Sequence, residues 1–189
     1  MDLLIARELD NKDGYTWTLA SRLGEALHLA EQLFGERDKN YTVLGIEFIG
    51  ENNPPRIWYP GNRKHVVIQL TKASLYDEFQ ALYQLAHETV HLLAPSGHNN
   101  SSILEEGIAT YFSEYYMSKL GQSNWKSTKQ TLIDALDLAR KLLSIDHEII
   151  YKVRKIEPSI SNLTKEHFYQ IRNDLPDDLL SKLCCKFND

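Results

Sequence analysis

The stretch His87-Glu88-Thr89-Val90-His91 sets two imidazoles four positions apart, with a carboxylate directly after the first. On an α-helix, side chains four apart share a face with their Cβ atoms about 5–6 Å apart, so this pair can close on one divalent ion. Zinc suits it: the ion binds imidazole nitrogen at about 2.0–2.1 Å and, in catalytic sites, takes three protein ligands and leaves a position for water. Glu88 then projects from the adjoining strip of the helix, where it can accept a proton from that water. The spacing therefore points to metal-assisted hydrolysis, with His87 and His91 as Zn²⁺ ligands and Glu88 as general base. The bland alternative is a buried helix with two hydrogen-bonded histidines. Glu88 speaks against it, because glutamate is a poor core residue.

A third protein ligand is needed, and two adjacent glutamates downstream compete for the role in Ser101-Ser102-Ile103-Leu104-Glu105-Glu106-Gly107. Ser102 and Glu105 have the spacing of a capping box, in which the serine caps the helix and the glutamate side chain reaches back to the serine N–H. That gives Glu105 a structural task and favours Glu106, one step further around the helix, as the ligand. Gly107 leaves room for a close approach of backbone, from a neighbouring helix or towards the metal. His98 is the rival third ligand. In the long metzincin pattern the third histidine follows the second by six positions; here the interval is seven, and Pro95, Ser96 and Gly97 disrupt the register. His98 reads as a solvated loop residue.

HETVH followed by LEEGIATYF resembles the gluzincin clan of metallopeptidases. The run Glu106, Gly107, Ala109 and Tyr111 is similar to the glutamate helix of the M1 aminopeptidases, in which the glutamate before the glycine binds zinc. The resemblance covers about residues 74–116 and implies zinc-dependent hydrolysis of a peptide or protein substrate. The gap between the two motifs is shorter than in those aminopeptidases, and the chain lacks the Gly-x-Met-Glu-Asn segment whose glutamate holds a free amine there. A compact minigluzincin acting as an endopeptidase is the closer comparison. In gluzincins a Tyr or His downstream of the glutamate helix stabilises the oxyanion; His147, Tyr151 and Arg154, which share one helical face by spacing, are the candidates here. Tyr111 would point away from the site and reads as packing, while Thr110 could hydrogen-bond a ligand histidine. Two other classes stay open: a gluzincin-fold binding or scaffold protein without activity, and a zinc hydrolase of a non-peptide substrate.

The elements that must position these residues are legible in the patterning. Leu75, Phe79, Leu82, Ala86, Val90 and Leu93 recur at helical spacing around the HETVH stretch, with Ser74 as its expected cap, Asp77 in its first turn, and Pro95 and Gly97 as its stop. An amphipathic helix is expected from Trp17 to Phe34, ended by Gly35. Segments 41–49, 56–59 and 64–70 are rich in β-branched and aromatic residues and joined by short turns, which predicts a small three-stranded antiparallel sheet. A free sheet edge beside the zinc could pair with an extended peptide. His65 falls at a strand end and is not expected to bind metal. Phe112, Tyr115, Tyr116 and Leu120 read as core or cleft wall, with Gly121 ending the glutamate helix. Further helices are expected over 129–143, 147–156, 166–173 and 177–187, the last with Pro176 in its first turn.

The whole reads as one α+β, mainly helical, zincin-like domain over residues 1–189, divided into a metal-binding part (1–122) and a helical part (123–189). At 189 residues the chain is long enough to bury a real core. A net charge of −5 argues against general nucleic-acid binding. No apolar run reaches the length of a membrane span. The start MDLLIARELDNKDG does not read as a secretory signal, and the two cysteines, Cys184 and Cys185, are adjacent and form no disulfide framework, so a cytoplasmic location is expected.

Overall fold

The computed structural model describes residues 6–8, 15–50, 53–61, 64–97 and 101–188. A short hairpin, β1 (Ala6–Glu8) and β2 (Tyr15–Thr18), leads into helix α1 (Leu19–Phe34). The helix starts two residues later than the periodicity suggests because Thr18 caps it, its hydroxyl accepting from the Ser21 N–H. Strands β3 (Thr42–Ile49), β4 (Arg56–Trp58) and β5 (His65–Thr71) follow. A 3-10 turn (Lys72–Tyr76) delivers the chain to α2 (Glu78–His91). Asp77, not Ser74, is the cap of α2: its carboxylate accepts from Gln80 N–H, while the Ser74 hydroxyl donates to Thr71 O. The remaining helices are α3 (Ile103–Lys119), α4 (Gln130–Ile145), α5 (Ile149–Val153), α6 (Lys165–Ile171) and α7 (Asp177–Leu183), with a 3-10 turn at Ile160–Asn162.

The three-stranded sheet has the order β3-β5-β4 and is mixed, which corrects the expected antiparallel meander. β3 runs parallel to β5, from Thr42 opposite His65 to Ile49 opposite Thr71, and β4 runs antiparallel to β5. Burial explains the order. Val66, Val67, Ile68 and Leu70 of β5 are all buried, and a strand covered on both faces belongs in the middle. Parallel neighbours need a crossover connection, and residues 50–64 supply it, leaving β4 on the far edge. A polar ladder crosses one face: Gln69 Nε2 donates to Glu47 Oε1 at 2.5 Å and Gln69 Oε1 accepts from Arg56 Nε at 2.6 Å.

Helix α2 lies between two apolar cores. Ala81, Leu82, Leu85 and Leu92 pack with the sheet and the first half of α1, whereas Ala86, Val90 and Leu93 pack with α3, α4 and α5. Coverage on both sides is why its polar residues Gln84, His87, Glu88 and Thr89 are buried too. Among the described residues no helix is long and apolar enough to cross a membrane.

Gly107 marks the closest helix contact. A Cβ built there would lie 2.4 Å from Ala135 O and 2.9 Å from Ala139 Cβ, so the close approach expected from the sequence is that of α4. The obstacle is backbone and cannot swing aside. Gly107→Ala is expected to cost about 1–3 kcal/mol through overpacking, against the gain in helix propensity. That corresponds to a melting-temperature loss of roughly 2–4 °C per kcal/mol for a chain of this size, read by calorimetry.

Arg154, only 5% exposed, ties the C-terminal end of α1 and the end of α2 to the segment after α5. Its guanidinium donates to five carbonyls: Phe34 and Gly35 (both 2.7 Å), Glu36 (3.0 Å), Leu93 (3.2 Å) and Pro158 (2.8 Å). A compact ammonium cannot serve carbonyls spread over that fork. Arg154→Met, which leaves the carbonyls orphaned, is expected to lose at least about 3 kcal/mol in denaturant unfolding. Arg154→Lys is expected to recover little of it.

Candidate metal centre

His87 and His91 stand one turn apart on α2 with ring centroids 5.1 Å from each other. The N-terminal turn of α3 faces them. Ser102 caps α3, its hydroxyl accepting from Glu105 N–H at 3.2 Å, and this fixes where the next two side chains leave the helix. Glu106 projects between the rings: its Oε2 lies 3.1 Å from His87 Nε2 and its Oε1 lies 3.6 Å from His91 Nε2. Glu88 is 2% exposed and completes the cluster, one ligand atom from each of His87, Glu88 and His91 falling within 4.8 Å of the others. Glu106 is not part of that group of three, but it reaches each imidazole through a different carboxylate oxygen. Glu106 is thus the carboxylate that meets the Nε2 atoms of both imidazoles.

The electrostatics fit a cation. Burial pushes the Glu88 carboxyl above its ordinary range, against the pull of His91 and His87. Burial also works to lower the His91 pKa, but Glu106 and Glu105 overcome it and hold the ring up at about 10. For Glu106 burial works upward, and His91 and His87 override it, bringing the carboxyl down to about 2. The carboxyl groups of Glu88, Glu105 and Glu106 thus gather around the two imidazoles. The proton held on His91 competes with a divalent ion for the same ring, and imidazole with carboxylate is a donor set that would suit zinc.

The capping box expected from the sequence is half formed. Ser102 caps the helix as anticipated, but the Glu105 side chain does not return to the Ser102 N–H. Its Oε1 lies 2.9 Å from His91 Nδ1, and its Oε2 accepts from the Ser161 hydroxyl. The Ser102 N–H goes instead to Ser161 Oγ at 3.0 Å. Ser161 sits 56 positions beyond Glu105 and carries no local signal in the sequence, so this pairing had no trace before the chain was folded.

The other expected roles are redistributed. Thr110 donates to Glu106 O of its own helix at 2.8 Å and supports no histidine. Arg154 is consumed by the carbonyls described above, His147 is exposed, and Tyr151 packs beside Gly35; none of these three lines the cleft at the cluster. Of the three only Tyr151 lies within α5, and Tyr151 and Arg154 meet Gly35 at the α1 terminus, so none of the oxyanion candidates drawn from spacing reaches the cluster. Tyr111 stacks on Tyr115, as expected for packing, and His65 opens β5 away from the cleft. His98 lies outside the described residues.

The cluster forms the floor of a cleft of about 850 Å³. Pro54, Pro55, Arg56, Ile57 and Tyr59 from the β4 region make one wall, Lys129 and Leu132 from the start of α4 another, and Lys186 and Phe187 close a third side. Residues 185–187 are held there by backbone pairing with the start of α3, Ile103 N–H donating to Cys185 O and Phe187 N–H to Ser101 O, both at 2.9 Å. The chain matches no protein-family model, no curated protein and no solved structure.

Proposed function

We propose that this protein is a zinc-dependent peptidase, in line with the gluzincin resemblance of its two motifs. The observation that carries the reading is the convergence of His87 Nε2, His91 Nε2 and the Glu106 carboxylate at the floor of a cleft, with buried Glu88 beside them. His87, His91 and Glu106 hold Zn²⁺, which when bound supplies a Lewis acid for the scissile carbonyl and lowers the pKa of a water. The Glu88 carboxylate takes a proton from the attacking water and delivers it to the nitrogen of the leaving amine, so that the C–N bond breaks without expelling an amide anion. Its raised pKa suits both halves of that transfer, since a base poised nearer neutrality also gives the proton up.

The cleft favours a peptide over a small non-peptide substrate. β4 is an edge strand of the sheet and forms one wall, so an extended chain can add to the sheet there and lie across the floor. Cleavage of a diverse peptide library by the zinc-loaded protein, with and without chelator, tests the reading. Chelator-sensitive cuts within peptides, at positions away from both ends, are the expected result. Loaded protein that cuts no peptide would instead favour a binding role or another substrate class.

A further inference from the structure

We infer that Glu105 and Ser161 are positioning residues for His91, fixing the tautomer and ring rotation with which it meets the metal; this rests on the zinc reading above. Glu105 is 3% exposed and lies on the Nδ1 side of His91, whereas Glu106 lies on the Nε2 side. A carboxylate at 2.9 Å from Nδ1 makes that nitrogen the protonated one. The lone pair is then on Nε2, directed to the same volume as His87 Nε2 and Glu106. Glu105 therefore acts through His91 and is not a competing ligand.

Ser161 locks Glu105 in turn. Its hydroxyl donates to Glu105 Oε2, and its Oγ accepts from the Ser102 N–H at 3.0 Å. Both hydrogen-bonding capacities of one hydroxyl are thus used at the α3 N-terminus. The turn that carries Ser161, Ile160–Asn162, follows Pro158, whose carbonyl is held by Arg154. The rotation of a metal ligand on α2 is in this way set by a turn near the end of the chain.

The test measures Zn²⁺ affinity by competition with a chromogenic chelator and records the visible spectrum of the Co²⁺-substituted protein, on the full chain and four variants. Glu105→Ala is expected to bind zinc about 10–100-fold more weakly and to shift the cobalt bands, and Ser161→Ala to fall at the lower end of that range. Glu105→Gln, whose amide oxygen still accepts from Nδ1–H, is expected to lose less than Glu105→Ala, and Ser161→Thr to restore affinity. A packing role alone lowers the melting temperature of the metal-free protein and leaves zinc affinity and the cobalt spectrum where they were; that result overturns the inference. Should Glu105→Ala not fold, the contrast between Ser161→Ala and Ser161→Thr decides. A parent that binds zinc equally well in all variants sinks only this inference, whereas a parent that binds none removes the zinc reading with it.

Discussion

Glu88→Gln is expected to lower kcat for peptide hydrolysis about 10²–10⁴-fold, the usual contribution of a general base, while zinc stays bound. The amide is isosteric, but it cannot take a proton from water or pass one to an amine. Burial already disfavours the charged carboxylate at this position, so a neutral side chain of the same shape fits without stranding a charge. Stability is therefore expected to change by less than about 1 kcal/mol, in contrast to an ordinary buried-site substitution. Steady-state kinetics on a cleaved peptide, with metal content measured on the same preparation, checks both halves. Equal turnover in parent and variant sinks the role given to Glu88.

Removing a ligand gives the second large effect. Zinc added to the metal-free parent at about 1,000 times its Kd is expected to stabilise it by roughly 4 kcal/mol. For a chain of this size that is a melting-temperature rise of roughly 8–16 °C. His91→Ala is expected to abolish the rise, because the lost Nε2 leaves one imidazole and one carboxylate. The metal also competes with protons. The His91 ring in the metal-free protein stays protonated up to about 10, so its ion pair with the carboxylates is fully present below the ordinary histidine pKa and fades as pH rises through about 10. Glu106, held near 2, contributes above the ordinary glutamate pKa and loses its share as pH falls through about 2. Zinc must displace the His91 proton, and its apparent affinity is expected to climb about tenfold per pH unit between roughly pH 6 and 8. A pH-independent affinity contradicts the ligand role of His91.

The difference between what the sequence revealed and what it hid follows from range. His87, Glu88 and His91 lie within one turn or so of a helix, where spacing alone sets relative position, and the capping serine at 102 fixes how Glu106 leaves the next helix. The helices and the three strands of the sheet were likewise legible, since 3.6- and 2-residue periods are local. Strand order was not: turn residues near 52–55 and 60–62 suggested consecutive hairpins, and only the burial of successive β5 residues from Val66 to Leu70, Gln69 included, marks it as the central strand of a mixed sheet. The Glu105 side chain took a partner 56 residues away in preference to the local capping contact, because a carboxyl group that is nearly fully buried gains more from two partners, an imidazole nitrogen and a hydroxyl, than from one backbone amide. Arg154, one of three oxyanion candidates in the sequence, serves elsewhere for a similar reason. Its spacing placed it on a face with His147 and Tyr151, but the carbonyls it serves belong to residues 34–36, 93 and 158, which only the tertiary structure assembles.

Titration of the metal-free protein with zinc, for the parent and for Glu106→Ala, addresses the proposed ligand set most directly, because Glu106 is the one proposed ligand that comes from a different helix. One tightly held zinc per chain is expected for the parent, with affinity in Glu106→Ala falling by several orders of magnitude. A parent that takes up no zinc, or a Glu106→Ala variant that binds it as tightly as the parent, contradicts the account.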